Sequence, residues 1–268
     1  MAKTMEIGEV HINASNIGDL AAYYRTLGLS SERNGDTIEL KAGKRTLVVL
    51  HETKASRRHE VGLYHFAIRL PSRRDLGDFV QHLIDRRISV TGASDHRVSE
   101  AVYLSDPEGN GIEVYRDREE TEWYDDGEIA MTTEAMDLDG VLGERSYGPY
   151  QGMPDGTDIG HIHLHVLDLD ASEKFYIDSF GIEKMMDVET AIFTSRDGYH
   201  HHIGMNTWLR GTPKEKEDGR PGLRGYVIRL SEDAFDTLFK DSVEGFKELR
   251  DPNNILITVK RGLTSNNI

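Results

Sequence analysis

Histidines are concentrated in two short segments of a chain that has 12 of them among 268 residues. Three are consecutive in GYHHHIGMN, His200 to His202, and three alternate in GHIHLHVLDL, at His161, His163 and His165. Side chains alternate along a β-strand, so the second segment predicts three imidazoles on one face, opposite an apolar face. Imidazoles crowded together repel once protonated and gain most by sharing a metal ion. The second segment therefore indicates a metal site, whereas three consecutive residues cannot all face one ion.

Two other segments place polar side chains away from apolar strand faces. In GLYHFAIRL the alternation predicts that His65 points away from the apolar face, and in AVYLSDPEGNGIEVY it separates Tyr103 and Glu113 from their apolar neighbours. Each of these residues alone would most often be a surface or packing residue. His96, in the loop SDHRVSE, would alone most often cap that loop.

Composition excludes several classes of function. The chain has 47 acidic and 32 basic residues and a formal charge of −15, which disfavours binding to nucleic acid or to anionic lipid. It has no cysteine, so any metal ion must be bound by histidine and carboxylate. The segment MAKTMEIGEV has no apolar signal core, and no apolar run approaches the ~20 residues that span a bilayer. We therefore expect a soluble, cytoplasmic protein without a membrane partner.

Four segments that begin near residues 7, 62, 159 and 223 share a plan of one strand, one amphipathic helix and about three short strands. The clearest pair, Ile7 to Leu29 and Ile159 to Ile182, aligns without a gap. In both, an alternating strand leads into a helix that has an aromatic pair and ends at a glycine, Gly28 or Gly181. The chain therefore contains a repeated unit.

The predicted fold is α+β, with four strand–helix–three-strand (βαβββ) modules that form two paired-module domains with cupped sheets. We expect modules one and two in residues 1–118, and modules three and four in residues 158–268. Residues 119–157 are acidic and rich in glycine, and we interpret them as a connection longer than most compact domains use.

This arrangement resembles the vicinal oxygen chelate superfamily, which includes glyoxalases and extradiol dioxygenases. Four modules, with His65 on a first strand and Glu113 on a last strand, make the resemblance extend over nearly the whole chain apart from the connection and the C-terminal tail. The third module, with GHIHLHVLDLDASEKFY and GYHHHIGMN, is most similar to catechol 2,3-dioxygenases. In that family, iron is bound by one histidine from the first strand of a module, and by a histidine and a glutamate from the first and last strands of the partner module.

The fourth module departs from this pattern. His161 matches the first ligand, but Gly225 and Thr258 stand where the fourth module should supply a histidine and a glutamate. The second module has both, as His65 and Glu113. We therefore predict that module two packs against module three and that His65, Glu113 and His161 bind the metal ion.

A second arrangement pairs module one with module two. It would combine His65 and Glu113 with a group of the first module, but Glu9 occupies the position that matches His161, and His11 lies two residues further on. In that arrangement the histidines of the third module need a separate explanation.

The resemblance also implies the residues that act on the substrate. Tyr103 matches an active-site tyrosine, and His96 resembles the histidine that closes over the substrate, although its spacing to Tyr103 is shorter than in the family. Alignment of the histidine triplet places His201 at the acid–base position, with His202 as the next candidate.

The activity implied is extradiol cleavage of catechol or a substituted catechol by O₂, with Fe(II) or alternatively Mn(II), to a 2-hydroxymuconic semialdehyde-type product. The expected partners are a small aromatic diol and O₂, with no nucleic acid and no membrane, and a homo-oligomer is left open. Two alternatives remain: a glyoxalase-like metal-dependent lyase or isomerase, and a non-catalytic protein of the same fold that binds a small ligand.

Overall fold

The computed structural model describes residues 3–240, 242 and 244–264. Every module begins with a strand that leads into a helix. Module one consists of β1 (Met5–Ala14), α1 (Ile17–Thr26), β2 (Ser30–Asn34), β3 (Thr37–Ala42) and β4 (Arg45–Glu52). Module two consists of β5 (Gly62–Arg69), α2 (Arg73–Arg86), β6 (Gly92–Asp95), β7 (Ser99–Ser105) and β8 (Gly111–Asp117). The connection contains a 3₁₀ turn (Glu120–Glu122), β9 (Tyr124–Asp125), β10 (Glu128–Ile129), β11 (Glu134–Ala135) and α3 (Leu138–Gly143).

The second half of the chain repeats the plan with one difference. Module three consists of β12 (Asp158–His165), α4 (Leu169–Phe180), β13 (Glu183–Val188), β14 (Ala191–Ser195) and β15 (Ile203–Asn206). Module four consists of β16 (Gly222–Leu230), α5 (Glu232–Leu238), β17 (Phe246–Arg250) and β18 (Leu256–Arg261). In the described part of module four, two strands follow the helix instead of the expected three.

Each module helix begins where a polar side chain caps its first turn. Asn16, Ser72, Asp168 and Ser231 accept hydrogen bonds from the free backbone N–H groups of α1, α2, α4 and α5. Helix α4 ends at Gly181, whose φ of 58° lies in the left-handed region that favours glycine. Among the helices of the described ranges, none is both long and apolar enough to cross a membrane.

The first strands of the modules pair across the two halves of the chain. Strand β5 pairs antiparallel with β12, and β1 pairs antiparallel with β16, within a sheet of 16 strands. Module two therefore lies beside module three, and module one beside module four. A register contact between Ile7 of β1 and Ile159 of β12 links the two pairs within the sheet.

Helix-to-turn contacts join module one to module two, and module three to module four. The hydroxyl of Tyr24 in α1 donates to Asp106, 3.0 Å away in the β7–β8 turn, and the hydroxyl of Tyr176 in α4 donates to Asp251, 3.1 Å away in the β17–β18 turn. Both tyrosines come from the repeated aromatic pairs, and both aspartates precede a proline. The division into domains at residues 118 and 158 stays a prediction. Strand pairing joins modules of different halves, whereas the helix-to-turn contacts join the two modules of one half.

The apolar core lies on one face of the first strands, and polar side chains lie on the other. Phe66 and Ile68 of β5, and Ile162 and Leu164 of β12, are fully buried in the core beneath the helices. The alternate residues of β5 and β12 project from the opposite face, as the alternation predicts. This opposite face carries the residues that can do chemistry.

The connection packs against both halves. Trp123 is buried against the ring of His200, at a centroid distance of 5.0 Å. Strand β11 pairs with β6, and α3 packs so closely on α2 that a Cβ on Gly77 would lie 2.4 Å from the carbonyl oxygen of Val141. The connection is thus part of the packed structure.

Candidate metal centre

His65, Glu113 and His161 form a buried cluster where β5 lies between β8 and β12. Glu113 Oε2 lies 3.0 Å from His65 Nε2 and 3.3 Å from His161 Nε2. One donor atom from each residue lies within 4.8 Å of the other two, and the three residues are at most 6% exposed. This geometry requires modules two and three to be neighbours, as the alignment predicts.

The donor atoms of the cluster fit a divalent metal ion. Within the described part of the chain, His161 Nδ1 is buried without a hydrogen-bond partner, and so is His65 Nε2, whose 3.0 Å approach to Glu113 Oε2 lacks hydrogen-bond geometry. An unsatisfied buried polar atom costs about 1–3 kcal/mol, which a metal bond to His65 Nε2 would offset. Two imidazole nitrogens and a carboxylate oxygen are a donor set that zinc and non-haem iron use, with other positions left open.

The protonation of the cluster also suits metal binding. Burial raises the pKa of Glu113, but attraction to His161 and His65 outweighs it and holds that pKa well below its usual value. Burial lowers the pKa of His161 to about 4 although Glu113 opposes this shift. A carboxylate and a neutral imidazole are the forms that bind metal ions.

Tyr115 and Gly160 fix the position of His161. A Cβ on Gly160 would lie 1.7 Å from the Tyr115 hydroxyl, so only glycine fits at this point of β12. The Tyr115 ring packs 4.9 Å from the His161 ring, and its hydroxyl lies 2.7 Å from that of Tyr199. The glycine that opens the repeated strand therefore allows this tyrosine to approach the backbone beside His161.

The residues of the first module make other contacts. Lys260 and Arg229 donate to Glu9 at 2.5 and 3.4 Å. His11 Nδ1 lies 2.9 Å from His51 Nε2, and these two rings are stacked. The second arrangement, with a metal ligand from module one, is therefore not the one that the fold builds.

Tyr103 and His96 form a hydrogen-bonded pair beside His65. The Tyr103 hydroxyl lies 2.6 Å from His96 Nε2, and the carbonyl oxygen of Thr132 lies 2.6 Å from His96 Nδ1. Because a carbonyl only accepts, His96 Nδ1 donates to Thr132, and a neutral His96 then accepts from Tyr103 through Nε2. Burial, with a smaller contribution from the charge of Glu113, raises the pKa of Tyr103 far above its usual value, which keeps the phenol protonated.

The three consecutive histidines point in different directions. They precede β15 and lie outside regular strand structure, so strand alternation does not apply to them. The ring of His201 lies 4.1 Å from that of His161, whereas His200 contacts Asp117 and His202 contacts Ser195. His202 lines a separate cavity of about 160 Å³. Of the triplet, His201 is therefore the residue beside the cluster.

Other polar residues surround the cluster, and His163 and His165, which were expected on the same face as His161, are not among its three donors. His163 lies opposite His65 in the strand pairing, and Asn206 Nδ2 donates to His163 Nε2 at 2.9 Å. The Asn206 side-chain oxygen lies 2.6 Å from His165 Nδ1. Asp117 lies four residues after Glu113 on β8, so strand alternation is the signal that places it on the same face.

Aromatic side chains line the His163 side of the cluster. Tyr64 and Trp208 are 38% and 44% exposed, and their rings meet edge to face at 5.4 Å. Each ring also lies within 5.4 Å of the His163 ring. Phe193 contacts the rings of both His163 and His201, and so lies between these two histidines. These rings form an apolar surface on which a flat aromatic ligand can pack.

Known proteins resemble this chain in sequence. The sequence-family model of the Glyoxalase/Bleomycin resistance protein/Dioxygenase superfamily matches residues 6–114. A protein of Bacillus subtilis (strain 168) named catechol-2,3-dioxygenase is 42% identical over 221 residues, which cover 79% of this chain and 77% of the relative.

Solved structures share the fold. Glyoxalase I from Zea mays is 14% identical, with a TM-score of 0.55 over 96% of this chain and 92% of its own. The cppA protein from Streptococcus pneumoniae TIGR4 is 11% identical, with a TM-score of 0.56 over 97% of both chains. At these identities the likeness concerns the fold alone, and it confirms the predicted α+β class.

Proposed function

Because the chain belongs to the glyoxalase, bleomycin resistance protein and dioxygenase superfamily, whose fold is that of the vicinal oxygen chelate proteins, we propose that it is an extradiol dioxygenase. Its substrate is catechol or a substituted catechol, and its product is of the 2-hydroxymuconic semialdehyde type. The relative named catechol-2,3-dioxygenase supports extradiol dioxygenase activity in general. The observation that carries the proposal is the buried cluster of His65, Glu113 and His161, whose donor atoms lie close enough to bind one metal ion.

We propose that these three residues hold Fe(II), with Mn(II) as the second candidate. When bound there, the metal ion would supply Lewis-acid and one-electron redox chemistry for the reaction of a catechol with O₂. The residues of the chain supply the exclusion of water, the orientation of the ring and the movement of protons.

We assign the proton chemistry to residues on the two sides of the cluster. His201, beside His161, takes the proton of one catechol hydroxyl and returns it later in the reaction. Tyr103, whose ring lies 5.8 Å from that of His65, keeps its proton, donates a hydrogen bond to His96 and accepts a hydrogen bond from the substrate. Phe193 and Trp208 provide the apolar surface for the substrate ring.

The remaining proposals concern the surroundings of the enzyme. The formal charge of −15 argues against nucleic acid and anionic membranes as partners, and we propose a cytoplasmic location. We leave open whether two or more copies of the chain associate.

The test is reconstitution with Fe(II) under anaerobic conditions, followed by addition of a panel of catechols and air. We expect O₂ uptake and a yellow ring-cleavage product from the native protein, and neither from Glu113→Gln. His11→Ala is the matched control, since it removes a half-buried histidine that contacts His51 and is not one of the three donors, and it should leave the activity intact. Iron-loaded protein that consumes no O₂ with any catechol contradicts the proposal, and isomerisation of a hemithioacetal would point to the glyoxalase alternative.

A further inference from the structure

Asp117, His200 and His201 form a hydrogen-bonded chain that ends beside the candidate metal centre. Asp117 Oδ1 lies 2.8 Å from His200 Nε2, and His200 Nδ1 lies 2.8 Å from His201 Nδ1. His200 is fully buried and His201 is 7% exposed, so water has little access to replace these contacts. The ring of His201 is in contact with that of His161.

The chemistry of the groups fixes where each proton lies. An ionised carboxylate only accepts hydrogen bonds, so His200 Nε2 donates to Asp117. A neutral imidazole has one donor and one acceptor, and His200 Nδ1 is therefore the acceptor. The hydrogen between the two Nδ1 atoms then belongs to His201. A neutral His201 is left with an unprotonated Nε2.

The outer end of this chain is anchored by other groups. Arg69 donates to Asp117 Oδ2 at 2.9 Å, and the Tyr199 hydroxyl lies 3.1 Å from the same oxygen. Trp123 packs edge to face on the His200 ring, and the Tyr199 ring lies 4.1 Å from it.

We propose that Asp117 and His200 are positioning residues that hold His201 in the tautomer whose Nε2 accepts a proton from the substrate. The identity of that substrate rests on the proposed function, whereas the tautomer is a property of the chain itself. In the transfer, the O–H bond of one catechol hydroxyl breaks, an Nε2–H bond forms and the oxygen keeps the electron pair. The resulting imidazolium still donates from Nδ1 to His200. The opposite tautomer would present an N–H and could not take the proton.

Asp117→Asn tests the inference directly, because Arg69 determines the orientation of the new side-chain amide. The amide oxygen must face the guanidinium, so the amide NH₂ faces His200 and donates to its Nε2. This reverses each hydrogen bond of the chain and places the proton of His201 on Nε2. His200→Gln keeps a donor and an acceptor in the middle of the chain, while His200→Leu keeps neither.

The readout is nitrogen NMR of ¹⁵N-histidine-labelled protein loaded with diamagnetic Zn(II), with His201 assigned by the signals that vanish in His201→Ala. We expect a protonated Nδ1 and a bare Nε2 in the native protein and in His200→Gln, and a protonated Nε2 in Asp117→Asn. Catechol turnover by the Fe(II)-loaded protein should fall about 10- to 100-fold in Asp117→Asn and His200→Leu, with His200→Gln retaining more. Thermal melting shows whether each variant is folded.

Two results would overturn the inference: a native His201 that carries its proton on Nε2, or an Asp117→Asn variant with the native tautomer. A native protein that shows the expected tautomer but cleaves no catechol would overturn the proposed function and leave the tautomer assignment standing. If His200→Leu fails to fold, Asp117→Asn and His200→Gln still decide, because both keep a polar group at the buried position.

Discussion

Tyr24 donates a 3.0 Å hydrogen bond to Asp106, and this buried contact fastens the helix of the first module to a turn of the second. Asn110 donates to the same carboxylate at 2.7 Å. In the second half of the chain, Tyr176 likewise donates to Asp251, which also accepts from Asn253. The aromatic pair and the Asp–Pro turn, which the sequence shows as separate features, are thus two ends of one contact.

Tyr24→Phe should lower the free energy of unfolding by about 1–3 kcal/mol. The phenyl ring still fills the same space, but the buried Asp106 loses one of its hydrogen-bond donors. Urea denaturation measures the change. Tyr23→Phe is the control, because its hydroxyl bonds to the carbonyl of Ser105 at an exposed position and should change stability by less than about 0.5 kcal/mol. Equal effects of the two substitutions would contradict this explanation.

His161→Ala should abolish binding of Fe(II), because it removes one of three donors and leaves Glu113 with a single imidazole beside it. In the native protein, a metal ion at 100 times its dissociation constant should raise the free energy of unfolding by about 2.7 kcal/mol. Metal analysis and thermal melting with and without a chelator check both statements. His11→Ala should bind the metal ion like the native protein, and iron retained by His161→Ala would exclude this cluster as the binding site.

The stability of the protein should fall in acid as Asp117 is protonated. Burial raises the pKa of Asp117, but His200 and Arg69 outweigh it and lower that pKa from 3.8 to about 2. A lowered folded-state pKa means that the stability is present above pH ~4 and is lost as the pH falls through about 2, on the order of 2 kcal/mol in all. Asp117→Asn should lack this dependence. Urea denaturation between pH 5 and pH 2 should therefore show the stability gap between the two proteins shrinking, and a constant gap would contradict the assignment.

Tyr103→Phe should reduce kcat/KM for catechol about 10- to 100-fold without changing the iron content. The substitution removes the hydroxyl that bonds to His96 and leaves His65 and Glu113 in place. Steady-state O₂ uptake and metal analysis on the same samples separate the two effects. A loss of iron in parallel with the loss of activity would show that the hydroxyl serves the metal site and not the substrate.

Gly160→Ala should destabilise the protein by about 1–3 kcal/mol and weaken metal binding, because the new Cβ displaces the Tyr115 hydroxyl beside His161. Removing that hydroxyl in the double variant Gly160→Ala with Tyr115→Phe should restore part of the loss. The Tyr115 ring carbon at 2.8 Å still crowds the Cβ, so the restoration is incomplete. Denaturation of both single variants and the double variant measures this coupling, and strictly additive effects would argue against a clash.

The three residues of the cluster were predictable because each lies on a regular strand. Alternation places His65, Glu113 and His161 away from the apolar faces. The resemblance to the family then implies which modules meet, because Gly225 and Thr258 occupy the ligand positions of the fourth module. The α+β class followed from the repeated plan of strands and helices.

Other parts of the site have no such signal. His200 and its neighbours precede β15, where no strand period determines which ring faces the cluster. The contacts of Trp123 with His200 and of Thr132 with His96 come from the connection, whose path depends on tertiary packing. The role of His201 is still a prediction, although its ring lies beside His161.

The pairing of β5 with β12 also sets an order of events during synthesis. Two of the three donors leave the ribosome before residue 118, but the third follows more than 40 residues later, after the whole connection. The emerging first half therefore presents only two of the three proposed donors, and a metal ion would meet all three only once the second half has docked its first strand. Binding of a metal ion by all three residues would then require that both halves of the chain have folded together.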